Sequence, residues 1–87
     1  MKLRRWDWEH QEYIGAWIPN YWNVKTYSND MAEIVNCPSC GKEIEFGEGY
    51  SSQEFHNFAG FGYCVCSDCY EEELDRVRKY RRPEKYV

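Results

Sequence analysis

Residues 37–42 read CPSCGK, and residues 60–74 read GFGYCVCSDCYEEEL. The first stretch holds a Cys-x-x-Cys pair, Cys37 and Cys40, with Gly41 directly behind it. The second repeats that spacing at Cys66 and Cys69, with a further cysteine, Cys64, just ahead. A Cys-x-x-Cys turn brings two sulfurs within reach of one ion. The glycine behind it frees the backbone to curl under the sulfurs and aim amides at them. Two such pairs complete the four soft ligands of a closed tetrahedral zinc site. The reading is one structural Zn2+ on Cys37, Cys40, Cys66 and Cys69. Cys64 and His56 are the alternative ligands. Against them stands a plainer reading, with Cys64 a small buried hydrophobe and His56 packed among aromatics with its ring nitrogens hydrogen-bonded.

Between the pairs, Ala32 to Asn36 reads as a short strand entering the knuckle. Ile44 and Phe46 alternate with Glu43 and Glu45, Gly47-Glu48-Gly49 supplies a turn, and Tyr50 opens a return strand, which is a hairpin signature. Phe58, Phe61 and Tyr63, with Gly60 and Gly62 among them, suggest a further bent strand. Behind Cys69 the pattern becomes helical. Ser67 or Asp68 can cap, Glu71, Glu72 and Glu73 fall in the early turns, and Arg76, Arg78, Lys79, Arg81 and Arg82 fall late, so the charges run with the helix dipole. Tyr70, Leu74 and Val77 form an apolar stripe continued by Tyr80 or Arg81, and Pro83 stops the helix.

The order of knuckle, hairpin, strand and a Cys-x-x-Cys that opens a helix resembles the treble-clef arrangement, as in LIM half-domains and the zinc-binding domain of the ClpX unfoldase. The residues that carry the resemblance are CPSCGKEI at 37–44 and CSDCYEEEL at 66–74. It covers the cysteine-bearing half alone. It implies that Cys69 sits in the first helical turn, where the positive end of the dipole favours a thiolate. LIM-type modules use a histidine between their cysteine pairs, but His56 lies too far ahead of Cys66 for that spacing.

Eighty-seven residues make one domain, 1–87, and so short a chain nets little stability from a hydrophobic core alone. A staple is expected. The five cysteines cannot all pair within one chain, and no run of signal-peptide character or membrane-spanning length is present. A reducing, cytoplasmic location and a metal staple follow, with no membrane partner. The expected class is α+β, with a zinc-stapled unit at residues 31–82, a tail at 83–87 and an aromatic-rich segment at 1–30 packed on the unit. In that segment Trp6, Tyr13, Ile14, Trp17 and Ile18 fit a helical period ended by Pro19, although Gly15 interrupts it. Loops and short strands pinned by aromatics are the competing picture.

Function is expected to be binding rather than catalysis. Four cysteines close the coordination shell, whereas a catalytic zinc keeps a position open. The deaminase signature is absent, and no thioredoxin-like βαβ unit surrounds either pair. Carboxylates such as Glu43 and Glu45 read as a solvated strand face. Aromatic residues make up 18% of the chain. Trp6, Trp8, Trp17 and Trp22 are candidate contacts for a protein partner, or for a second copy of the chain in a homo-oligomer, with most of the rings serving as core. The alternative is nucleic acid held by Arg76, Arg78, Lys79, Arg81 and Arg82. A short, acidic, metal-stapled chain of net charge −4 also suits a regulator, inhibitor or adaptor of a larger bacterial or phage machine.

Overall fold

Trp, Tyr and Ile form strands more readily than helices, and the first residues fold accordingly. In the computed structural model, which describes residues 1–81, β1 (Lys2–Asp7) and β2 (Glu12–Trp17) form an antiparallel hairpin. The helix expected over Trp6 to Ile18 is therefore corrected to two strands. Residues 8–11 make the turn, and Gln11 takes the left-handed conformation at φ 56°. Pairing places Leu3 opposite Ala16 and Trp6 opposite Tyr13, so the apolar spacing that mimicked a helix is a cross-strand pattern.

The chain continues through β3 (Ile34–Asn36), β4 (Glu43–Glu45), a single 3-10 turn at Phe46–Glu48, β5 (Tyr50–His56), β6 (Gly62–Val65) and α1 (Ser67–Arg81). Four strands form one sheet in the order β2-β1-β5-β6, and β3 pairs with β4 in a second. The hairpin expected between residues 44 and 50 is not formed. Instead β4 pairs back across the knuckle, Val35 to Ile44, and the 3-10 turn carries the chain to the larger sheet. Only Gly62–Val65 of the expected aromatic strand is extended; Phe58 and Phe61 lie in the exposed turn before it.

Two small apolar clusters result. Leu3, Ile18 and Phe55 are buried in one, with Ala16, Trp22, Val24 and Tyr63 packed around them. The other is Cys37, Val65, Cys66 and Cys69, flanked by Ile44 and Tyr70. At about 2 kcal/mol for each large side chain buried, neither cluster is a substantial core, which is the physical reason for a staple. No described helix is long and apolar enough to cross a membrane. Arg82, the Pro83 stop and the 83–87 tail lie outside the described residues.

Candidate metal centre

Cys37 follows β3 directly, and its turn is closed from both sides. Its amide donates to the Lys42 carbonyl at 2.9 Å, and the Gly41 amide donates to the Cys37 carbonyl at 2.7 Å. Gly41 sits at φ +83°, and a β-carbon there would fall 2.6 Å from the Trp22 ring. Glycine is required twice over, by conformation and by the indole packed against the knuckle. The loop behind Trp22 is tied in as well. The Asn23 and Asn36 amides bond to the Asn36 side chain and the Asn23 carbonyl at 2.8 Å each, and Asn36 Nδ2 donates to the Gly41 carbonyl at 3.1 Å. Sequence reasoning passed over this asparagine pair, which clamps the N-terminal segment to the metal half.

The second cysteine pair spans the junction of β6 and α1. The Cys66 carbonyl accepts the first helical bond from the Tyr70 amide at 2.9 Å, so Cys66 occupies the N-cap position. The cap expected from Ser67 or Asp68 is thus corrected. The sulfur of Cys66 takes a hydrogen bond from the backbone of Cys69, as an N-cap oxygen would.

All four sulfurs lie within 4.8 Å of one another, and Cys40 Sγ is 3.7 Å from Cys66 Sγ. A tetrahedral ion with bonds of about 2.3 Å to sulfur separates its ligands by about 3.8 Å, so the spacing fits. Cys37, Cys66 and Cys69 are buried and Cys40 is exposed at the rim. Burial pushes the Cys37 thiol up to about 11, although backbone bonds from Cys66, Cys40 and Ser39 oppose the shift. Burial likewise raises Cys69, against a hydrogen bond from Ser39. Burial also opposes ionisation of Cys66, yet bonds from Cys69, Cys40 and Cys37 bring its thiol below the ordinary value. The cluster is a proton-holding set of soft donors, which a divalent cation would convert to thiolates. The sulfur bonds come from backbone, from Ser39 and from the neighbouring thiols, while Lys42 is exposed beside Glu43 and Glu45.

Neither alternative ligand joins the cluster. Cys64 is buried with its sulfur 3.7 Å from the Phe46 carbonyl, and a β-carbon on Gly49 would meet that sulfur at 2.1 Å. His56 lies on the large sheet, its Nδ1 3.0 Å from the Tyr13 hydroxyl and its ring 5.7 Å from the Tyr13 ring.

The helix that carries Cys69 is held by a polar clamp that the apolar stripe did not foretell. Tyr70, Leu74 and Val77 are half-buried, whereas Glu73 is fully buried. Glu73 accepts from the Ser52 hydroxyl at 2.7 Å and the Gln53 amide at 2.6 Å. Glu54, 1% exposed, accepts from Trp8 Nε1 at 3.1 Å and from both Nε and Nη2 of Arg76, with Arg5 Nη2 at 3.5 Å. Tyr50 and Tyr70 stack at 4.8 Å beside this clamp.

The other sequence-assigned residues divide. Trp8 is buried and donates to Glu54, Trp22 packs on the knuckle, Trp6 is half-buried edge-on to Tyr13, and Trp17 is 77% exposed. Arg76 is engaged by Glu54, Arg78 pairs with Asp75 at 2.8 Å, and Lys79 lies over the Tyr80 ring. Arg81 ends the described helix. Compared with protein families, curated proteins and solved structures, the chain has no match.

Proposed function

We propose that the protein is a small non-enzymatic binding module, built on one structural zinc, that engages a protein partner as a regulator, inhibitor or adaptor of a larger machine. The four-sulfur donor set supports zinc and a closed shell. The order of knuckle, strand pairing and a helix opened by the second cysteine pair supports a treble-clef-like unit.

The observation that carries the partner reading is the edge of the large sheet. β2 pairs with β1 alone, and it exposes Tyr13, Ile14 and Trp17 at 38%, 42% and 77%. At the opposite edge the Cys64 amide donates to the Lys25 carbonyl, so β6 is covered. An open, apolar edge strand is a ready site for a partner's strand, whose backbone bonds supply affinity while the side chains select. The terminal helix supports the nucleic-acid alternative less well, because Arg76 and Arg78 already face carboxylates.

The test is quantitative affinity capture with the zinc-loaded protein and its Ile14→Lys variant, which places a charge on the open edge. A protein retained by the first and lost by the second supports the reading. Identical capture by both, or no specific capture, overturns it.

A further inference from the structure

A second surface lies on one face of the large sheet and shares Tyr13 and Trp17 of β2 with the open edge. The register of β1 with β2 puts Lys2 opposite Trp17, Arg4 opposite Gly15 and Trp6 opposite Tyr13, all on one face of the pleat. Arg4 pairs onward with His56 of β5. The side chains confirm this grouping. The Arg4 guanidinium lies 3.8 Å over the Tyr13 ring and 5.7 Å from that of Phe58.

Gly15 leaves a gap in the middle of the face. A β-carbon there would fall 2.4 Å from Lys2 Cε, so the lysine stem occupies the space that another residue would fill. Beside it is an open depression of about 400 Å³ lined on this face by Lys2, Arg4, Tyr13, Gly15 and Phe58, with Leu3 and Ile14 reaching it from the other. Two bare rings flank the cations, Trp17 on β2 and Phe58, 90% exposed, in the turn behind β5.

The charges on this face are unbalanced. Neither Lys2 nor Arg4 has an ion pair among the described residues, although the chain as a whole carries −4; Arg4 Nη1 reaches only the Asn57 and Phe58 carbonyls, at 3.5 Å each, which leave its charge unbalanced. The strand acids Asp7 and Glu12 oppose each other on the reverse face, and Glu9 lies in the turn at the end of the hairpin. Residues 57–61 contain no acid. A neutral apolar segment would satisfy the rings and strand the two cations, and an acidic peptide would do the opposite. A single-stranded polynucleotide alternates flat bases with phosphates and meets both needs.

We propose that this face binds single-stranded nucleic acid, with bases stacked on Trp17 and Phe58 and the phosphates between them drawn to Lys2 and Arg4. The site goes beyond the edge-strand reading and does not depend on it. Paired bases cannot reach the rings, so a duplex is excluded.

The test is fluorescence anisotropy with labelled oligothymidylate and oligouridylate of about a dozen nucleotides, using the full zinc-loaded chain. Binding of either polymer supports the proposal. Trp17→Ala and Phe58→Ala are each expected to weaken binding about tenfold. Two phosphate contacts give a slope of about −1.4 in log affinity against log salt, and Lys2→Gln should reduce it by about 0.7. Zinc content and circular dichroism establish that each variant is folded. Three outcomes would overturn the proposal: no saturable binding at low salt, equal affinity for duplex and single strand, or folded ring variants that bind like the parent.

Discussion

Glu54 of β5 and Arg76 of α1 meet in a two-pronged ion pair, with Nε 2.6 Å from Oε2 and Nη2 2.9 Å from Oε1. The carboxylate is almost fully buried and the guanidinium about one-third exposed. Removing one partner of such a pair strands the other in a low-dielectric site. Arg76→Ala should therefore cost about 3 kcal/mol, read as a lower urea midpoint in the zinc-loaded protein. Arg5 Nη2, 3.5 Å from Oε1, remains as a single weaker contact and does not replace the two-pronged pair. Trp8→Phe removes only the Nε1 donor and should cost about 1 kcal/mol. A double-mutant cycle between Glu54 and Arg76 should show a coupling well above that of an exposed surface pair.

The metal gives a larger effect. Zinc binding at four-cysteine sites supplies roughly 10 to 16 kcal/mol, more than a small domain's usual net stability. A strong chelator should abolish cooperative unfolding, and readdition of zinc should restore it with release of protons, because the free thiols of the metal-free chain are protonated at neutral pH and bind zinc as thiolates. Cys69→Ser should lose the metal. Cys64→Ala should keep one zinc per chain and cost about 1 to 2 kcal/mol, as for a small buried side chain. Loss of zinc from Cys64→Ala would place that sulfur at the site after all. Metal content by mass spectrometry under native conditions distinguishes these outcomes.

The cysteine cluster and the terminal helix were legible because both rest on local spacing. Cys37 with Cys40, and Cys66 with Cys69, are each set by a single turn, and the acid-to-base order of residues 71–81 is a property of one helix. The remainder depends on distant pairing. Whether Tyr13 and Trp17 belong to a helix or a strand is decided by β1, and β1 is itself held by β5 through Arg4–His56 and Arg5–Phe55. Glu43 to Glu45 leaves β5 for β3 because the knuckle brings Val35 and Ile44 together. Glu73 could not be ranked above its neighbours Glu71 and Glu72 from sequence, since its burial depends on Ser52 arriving from another strand.

The hairpin turn carries its own titration. His10 Nδ1 lies 2.6 Å from Asp7 Oδ2, and the hydrogen bond raises the His10 value above 6.5 and lowers that of Asp7 below 3.8. A raised histidine contributes stability below its unfolded value and loses it as pH climbs through the folded one. A lowered aspartate contributes above its unfolded value and loses it as pH falls through the folded one. The pair is therefore fully formed between 3.8 and 6.5. Asp7→Asn should bring the NMR midpoint of His10 down towards 6.5, and an unmoved midpoint would contradict the pairing.

Glu73 has the opposite sign from Asp7, whose hydrogen bond to His10 lowers its value. Burial raises its value above 4.5, against the bonds from Ser52 and Gln53 that favour the carboxylate, while nearby Glu54 raises it further and Arg76 lowers it. Between 4.5 and the raised value, the folded state binds more protons than the unfolded chain. Stability contributed by this residue therefore falls as pH rises through that interval and levels off above it. Glu73→Gln is permanently neutral and lacks that slope. The stability of the variant relative to the parent should therefore rise as pH rises through the interval. Urea unfolding of both proteins at matched zinc checks this, because the metal's own dependence on pH is common to the two and cancels in the difference. A gap that stays constant across the interval would show that Glu73 titrates alike in the folded and unfolded chains.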